Sequence, residues 1–126
     1  MKLALESKVN GIWISNHGGR QLDCLSSTIE ILQDVSDLIK DSQTQIYIDG
    51  GFRNGFDVFK ALALGANFVF FGRAFLYALA ANGRKGVSDF ITQVSNELED
   101  AMRCCGAASI KDIKREMVQT IGLGRL

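Results

Sequence analysis

Three short apolar segments, each followed at once by a polar or glycine-containing loop, constrain the fold of this chain more than any other feature. The segments are residues 11–15, 46–48 and 68–71, and their apolar side chains are mostly consecutive rather than alternating. Consecutive apolar residues are typical of parallel strands that are covered on both faces. Helical patterns follow the first two segments, and this alternation predicts a parallel sheet in an α/β fold.

The helices between the predicted strands are marked by their terminal residues. Ser27 and Glu30 have the spacing of a capping box, and apolar residues at helical spacing behind them predict a helix that ends near Lys40. A second helix is predicted over residues 57–64, with Gly65 suited to end it.

Further helices are predicted at both ends of the chain. Residues 2–7 resemble the tail of a helix, and an apolar stripe predicts a long helix over about residues 87–105. Ser109 and Asp112 have the spacing to cap a last helix. The apolar residues of that last helix would be Ile110, Ile113, Met117 and Ile121. No linker or low-complexity tract interrupts the pattern, so one domain is predicted.

Charge and composition exclude several classes of partner. The 14 basic residues balance the 14 acidic ones, so no broad positive field is available to bind a polyanion. The apolar runs fall well short of the about 20 residues that span a bilayer, and Lys2, Glu6 and Lys8 interrupt the region where a signal peptide would be apolar. The three cysteines fit no zinc or redox spacing. We therefore predict no nucleic-acid, membrane or metal partner.

The first loop, residues 15–23, contains the only histidine of the chain. The imidazole of His17 is suited to proton transfer near neutral pH, and the guanidinium of Arg20 offers a planar fork for a carboxylate. The pair could therefore bind and deprotonate a small anionic substrate. The alternative is that His17 is structural or solvated, as lone loop histidines often are.

The second and third loops combine glycines with arginines. Gly50 and Gly51 allow backbone amides to approach a ligand, and Arg53 follows them closely. Gly72 and Arg73 follow the next strand. Glycine turns beside arginines on consecutive strands predict a phosphate site. The alternative is that the glycines serve tight turns and the arginines are ordinary surface residues.

Residues 15–23, residues 49–66 and the pair Gly72 and Arg73 closely resemble the FMN-dependent 2-hydroxy-acid oxidases and dehydrogenases, the family of glycolate oxidase. The resemblance extends from the first strand to about Ser109 and keeps the family's intervals between the three loops. It implies an FMN cofactor and the oxidation of a small 2-hydroxy acid to a 2-oxo acid. It also implies oxygen as the electron acceptor, with hydrogen peroxide as the product.

The resemblance assigns a role to each loop. His17 matches the histidine that takes a proton from the substrate, Arg20 matches the arginine that binds the substrate carboxylate, and Ser15 matches a flavin contact. The predicted contacts of the FMN ribityl-phosphate are Asp49, Gly50, Gly51, Phe52, Arg53, Gly72 and Arg73. The family usually has a proline after that last arginine, where this chain has Ala74.

Other conspicuous residues are given structural interpretations. Trp13 and the aromatic residues of 68–71 are predicted to lie in the core rather than against the flavin. Asp23 is interpreted as a residue that bonds loop amides, and Cys24 as a bystander thiol.

The length of the chain limits what it can contain. A complete TIM (β/α)₈ barrel needs about 250 residues, so the resemblance implies that residues 1–126 are the carboxy-terminal part of one, with its last three strands. We expect the chain alone to be inactive and its full-length form to be a homo-oligomer. The alternatives are an incomplete gene model and a truncated, non-catalytic paralogue that binds a phosphate ligand or a partner barrel.

Residues 124–126 loosely resemble a peroxisomal signal, so we expect a peroxisomal or cytoplasmic location.

Overall fold

The computed structural model describes residues 1–40 and 42–119, and three parallel strands form its sheet. The strands are β1 (Gly11–Ile14), β2 (Gln45–Ile48) and β3 (Phe68–Val69), in the spatial order β1, β2, β3. Ile14 is in register with Ile48, and Ile48 with Val69. The predicted parallel sheet is therefore confirmed.

The core lies between one face of this sheet and two of the helices. The helices are α1 (Lys2–Glu6), α2 (Thr28–Ile39), α3 (Gly55–Ala63) and α4 (Arg73–Cys105). Ile46 and Ile48 of β2 are buried against Leu32 of α2 and Ala61 of α3. Because side chains alternate between the two faces of a strand, the residues on either side of Tyr47 contribute to the same core.

Local side-chain caps fix where α2 and α3 begin. Ser27 forms the predicted capping box of α2 with Glu30, whose carboxylate accepts a hydrogen bond of 2.9 Å from the Ser27 amide. Helix α3 begins two residues earlier than predicted. Oδ1 of Asn54 accepts a hydrogen bond of 2.8 Å from the Asp57 amide. This contact caps the helix ahead of the apolar residues on which the prediction rests.

Strand β3 is shorter than predicted and α4 begins earlier. The strand ends at Val69, and the amide of Phe70 makes a last bond of 2.8 Å to the carbonyl of Ile48, where β2 itself ends. Helix α4 begins at Arg73 rather than near residue 87, with a break at Asn82 and Gly83. No helix within residues 1–40 and 42–119 is long and apolar enough to cross a membrane.

The predicted last helix is wrong. Its cap is present, since the carboxylate of Asp112 accepts from the Ser109 amide at 2.8 Å. Only two short 3₁₀ turns follow, Ile110–Asp112 and Arg115–Met117. The backbone is extended at Ile113 and Lys114 between them, which ends any helical ladder. Ile121, the last residue assigned to that helix, lies outside the described residues.

The second face of the sheet is uncovered. We call it the aromatic face, and it consists of Trp13, Tyr47, Phe68 and Phe70. The rings of Trp13 and Phe70 stack with centroids 4.4 Å apart, and Trp13 is 54% exposed. The prediction that Trp13 and residues 68–71 are core is therefore wrong for three of these residues, since Phe68 and Phe70 are also exposed. Phe71 packs against the core as predicted.

Candidate active site

The three loops that carry the predicted site lie together at one edge of the sheet. The carboxyl ends of parallel strands meet at a common edge, which is where α/β proteins bind ligands. The amide of Asp49 donates to the carbonyl of Ile14 at 3.2 Å, which joins the second loop to the first. Nη2 of Arg73 donates to the carbonyl of Gly18 at 2.8 Å, which joins the third loop to the first.

The first loop presents His17 and Arg20 at the surface. The hydroxyl of Ser15 accepts a hydrogen bond of 3.1 Å from the His17 amide, and a 3₁₀ turn follows over His17–Gly19. His17 has a φ of 55°, a conformation that residues with a Cβ seldom adopt. Strained backbone of this kind is concentrated at functional sites. The side chains of His17 and Arg20 have no hydrogen-bond partner within residues 1–40 and 42–119 and are free to meet a ligand.

The second loop turns through two glycines in the left-handed region. Gly50 and Gly51 both have a φ of 91°. Their amides have no hydrogen-bond partner in the part of the chain that the structure describes. The guanidinium of Arg53 is exposed, while its amide donates to the carboxylate of Asp57 at 3.2 Å. Phe52 is buried and contacts Phe71, so only its backbone can face a ligand.

Helix α4 begins at the third loop with an open amino terminus. Gly72 is its N-cap residue and provides no side-chain cap. The amides of Arg73 and Ala74 have no acceptor among the described residues, and the helix dipole favours an anion at this position. Helix α3 differs, because Glu97 already accepts a hydrogen bond of 2.8 Å from the amide of Gly55. Of these two helix ends, the start of α4 therefore offers more unpaired amides to an anion.

Two side-chain oxygens at this edge are buried without a donor. They are Oδ1 of Asn16 and Oδ1 of Asp49, neither of which has a hydrogen-bond partner in the described residues. A buried acceptor without a partner carries a desolvation cost that a ligand hydroxyl can remove. The polyhydroxylated ribityl chain of FMN fits the oxygen of Asp49, and the unpaired amides with Arg53 and Arg73 fit a phosphate.

Sequence reasoning missed two residues of this site. Asn16 and Thr28 both pack against Gly50, and a Cβ added there would lie 2.9 Å from Oδ1 of Asn16. Thr28 is 2% exposed and is the only buried polar side chain in the described residues. No local pattern in the sequence marks Thr28, because its hydrogen-bond partners lie 21 and 22 residues away.

Unpaired amides and two arginines at the carboxyl edge of a parallel sheet are features of α/β proteins that bind anions. The family model of the FMN-dependent dehydrogenases matches residues 1–120. The chain belongs to the FMN-dependent dehydrogenase family, whose members are enzymes with FMN as cofactor. The resemblance in sequence to this family is thus confirmed.

Relatives of known activity match most of this chain but are much longer. The peroxisomal (S)-2-hydroxyacid oxidase GLO3 of Arabidopsis thaliana is 47% identical over 117 residues, which are 93% of this chain and 32% of that protein. The 2-hydroxyacid oxidase 2 of Homo sapiens is 43% identical over 118 residues, which are 94% of this chain and 33% of that protein. The chain spans about a third of the length of the curated relatives it matches.

Solved structures show the same arrangement of elements. A flavocytochrome b2 variant with pyruvate bound superposes with a TM-score of 0.88 at 38% identity, over 98% of this chain and 35% of that one. A mandelate oxidase variant with a monooxide FMN adduct superposes with a TM-score of 0.82 at 39% identity, over 90% of this chain and 36% of that one. The fold prediction is confirmed, because these proteins are TIM-barrel enzymes and this chain has three parallel strands of such a barrel without closing it.

Proposed function

We propose that residues 1–126 are the carboxy-terminal part of an FMN-dependent 2-hydroxy-acid oxidase, and that this part holds the flavin phosphate and presents the catalytic base. The full-length parent oxidises a small 2-hydroxy acid to a 2-oxo acid, with oxygen as acceptor and hydrogen peroxide as product. The relatives named 2-hydroxyacid oxidases support the substrate class. The name of the Arabidopsis relative supports a peroxisomal location.

The observation that carries this proposal is that the loops with unpaired amides and arginines lie next to the loop of His17 at one edge of the sheet. The amides of Gly50 and Gly51 and the open start of α4 provide donors, and Arg53 and Arg73 provide positive charge. These groups suit a phosphate dianion, since amides and guanidinium groups are its preferred partners. The proposed cofactor contacts are Ser15, Asp49, Gly50, Gly51, Arg53, Gly72 and Arg73, with Phe52 contributing through its backbone.

The chemistry assigned to the chain's own residues follows from their types and their place on one loop. FMN supplies the electron acceptor when bound. Arg20 binds the substrate carboxylate through two parallel hydrogen bonds, which orients the hydroxyl-bearing carbon. A nitrogen of the His17 imidazole accepts one proton from the substrate, and the two electrons and the second hydrogen would pass to FMN when it is bound. The hydrogen bond from Arg73 to the carbonyl of Gly18 ties the loop of His17 and Arg20 to the loop that begins α4.

A flavin-binding experiment tests the phosphate site. Flavin fluorescence is titrated with the 126-residue chain, using FMN and riboflavin, which lacks the phosphate. We expect FMN to bind more tightly, and Arg73→Ala to remove on the order of 1.5–3 kcal/mol of that affinity, because a charge-assisted contact is lost. The affinity for riboflavin serves as the control and should not change. Equal losses for both flavins would show that Arg73 does not contact the phosphate.

A second candidate function is a non-catalytic protein that binds a phosphate ligand or a partner barrel. The bare aromatic face favours it, since an apolar surface of this kind is suited to contact with another protein. In that case the chain binds FMN or inorganic phosphate without any substrate-dependent reduction of the flavin.

A further inference from the structure

We propose that Thr28 is a positioning residue of the phosphate site, whose hydroxyl orients the two peptide groups of the Asp49, Gly50 and Gly51 turn so that their amides face the anion. The inference rests on the proposed function, because it needs a phosphate at that turn. Thr28 itself does not contact the ligand. It acts through the backbone of the second loop.

Among the residues that the structure describes, the hydroxyl of Thr28 is bonded only to the turn. Its Oγ1 lies 2.5 Å from the carbonyl oxygen of Asp49 and 3.3 Å from that of Gly50. The single hydroxyl proton is therefore shared between consecutive carbonyls, with Asp49 as the nearer acceptor. A hydroxyl buried to this degree is stable only when it is bonded, so the contact fixes the turn as well as the side chain.

The direction of the carbonyls determines the direction of the amides. In a planar trans peptide the C=O and N–H bonds point in opposite directions. The carbonyl of Asp49 points at Thr28, so the amide of Gly50 points away from α2. The carbonyl oxygen of Gly50 also lies within hydrogen-bond distance of Thr28, and in the proposed arrangement the amide of Gly51 then faces away as well. Thr28 thus turns two unpaired donors toward the open side of the loop.

The surroundings hold Thr28 in this position from two directions. It is the first residue of α2, directly after the Ser27 capping box, which fixes its backbone. A Cβ on Gly50 would lie 3.2 Å from Oγ1 of Thr28 and 2.9 Å from Oδ1 of Asn16. The turn is therefore enclosed between these two side chains, and only a glycine fits between them without displacing either.

The test compares three variants of the 126-residue chain by flavin fluorescence titration with FMN and riboflavin. Thr28→Val replaces the hydroxyl by a methyl group of similar size, and Thr28→Ser keeps the hydroxyl. Thr44→Val is the matched control, because Thr44 also donates a hydroxyl bond of 3.0 Å to a backbone carbonyl, that of Val9, at the amino end of β2. Thr44→Val therefore removes a hydroxyl-to-carbonyl hydrogen bond at a position far from the carboxyl edge of the sheet.

We expect Thr28→Val to weaken FMN binding about tenfold, the factor that corresponds to one hydrogen bond, without changing riboflavin binding. Thr28→Ser and Thr44→Val should keep the wild-type ratio of FMN to riboflavin affinity, even where they lower the melting temperature. An unchanged ratio in folded Thr28→Val would overturn the inference, as would a ratio lost equally in Thr44→Val.

Two further results distinguish a failure of the positioning role of Thr28 from a failure of the proposed phosphate site. If Thr28→Val does not fold, Thr28→Cys replaces it, since a thiol is a weaker donor, and an unchanged ratio there overturns the inference equally. If the wild-type chain binds FMN and riboflavin with the same affinity, the phosphate site itself is wrong. A wild-type preference for FMN that persists in the Thr28 variants leaves the phosphate site intact and rejects the positioning role alone.

Discussion

Arg73 connects the third loop to the first. Its guanidinium bonds the carbonyl of Gly18, while its backbone begins α4. Any side chain at Gly18 would collide with Nη2 of Arg73. Gly18 is therefore required both for its backbone conformation and for the space that the guanidinium occupies.

The adjacent glycines of the first loop allow these two requirements to be separated. Gly18 and Gly19 have φ values of 65° and 73°, but a Cβ at Gly19 would meet no atom within 4 Å. We expect Gly19→Ala to lower the free energy of unfolding by about 1–2 kcal/mol through backbone strain alone. Gly18→Ala should cost about 1 kcal/mol more, because it also displaces Arg73.

Urea denaturation of each variant at low protein concentration measures both costs. Gly18→Ala combined with Arg73→Ala should cost less than the sum of the two single changes, since the collision is absent. Equal costs for Gly18→Ala and Gly19→Ala would mean that the Arg73 contact contributes nothing to stability.

Part of the candidate site could be proposed from the sequence, and tertiary contacts added the rest. His17, Arg20 and Arg73 could be proposed from the chemistry of their side chains together with the resemblance of their loops to the family. Thr28 could not, because its partners lie 21 and 22 residues away and no local pattern connects them. Asn16 was missed for the same reason.

At the scale of the elements, the contact between α3 and α4 depends on a single glycine. A Cβ at Gly55 would collide with the backbone of Val94 and Leu98 in α4. The same approach brings the carboxylate of Glu97 to the Gly55 amide. The helix that follows the glycine turn is thereby fixed to the long helix behind it.

Gly55→Ala should therefore separate the two helices. We expect a loss on the order of 3 kcal/mol in the free energy of unfolding, because neither backbone can yield without displacing a helix. Urea denaturation followed by circular dichroism measures the loss. A loss below about 1 kcal/mol would show that the two helices can move apart at little cost.

Elements whose apolar pattern was bounded by a cap or a loop were predictable, but a cap alone was not sufficient. The Ser27 cap located α2 to within a residue. Residues 73–81 could not be predicted as helix because they are almost uniformly apolar after Arg73, so they have no polar face to give a helical period. The last predicted helix had a valid cap at Ser109, but the extended backbone at Ile113 interrupts it.

At the scale of the whole molecule, the sheet has two open edges and one bare face. Strands β1 and β3 each lack a neighbour on one side among the described residues, and open edges favour association between chains. The aromatic face adds exposed apolar surface. We therefore expect the chain to self-associate as its concentration rises.

The chain alone should not catalyse the proposed reaction. Catalysis needs the flavin ring held about 3–3.5 Å from the reacting atoms, and most of the cofactor contacts proposed for this chain are to the phosphate end of FMN. We expect no anaerobic bleaching of FMN absorbance when glycolate, lactate or a longer 2-hydroxy acid is added to the chain with excess FMN. Bleaching that disappears in His17→Gln would instead mean that copies of the chain assemble a complete site.

The place of Trp13 gives the molecule a built-in optical reporter. It is the only tryptophan in the sequence, and it lies on the aromatic face with its ring stacked on Phe70. Indole emission shifts to shorter wavelengths when water is removed from around the ring. A second copy of the chain or further strands of a barrel could cover this side of the sheet. Either would therefore shift the wavelength of the protein's intrinsic tryptophan emission, and no added label would be needed to detect it.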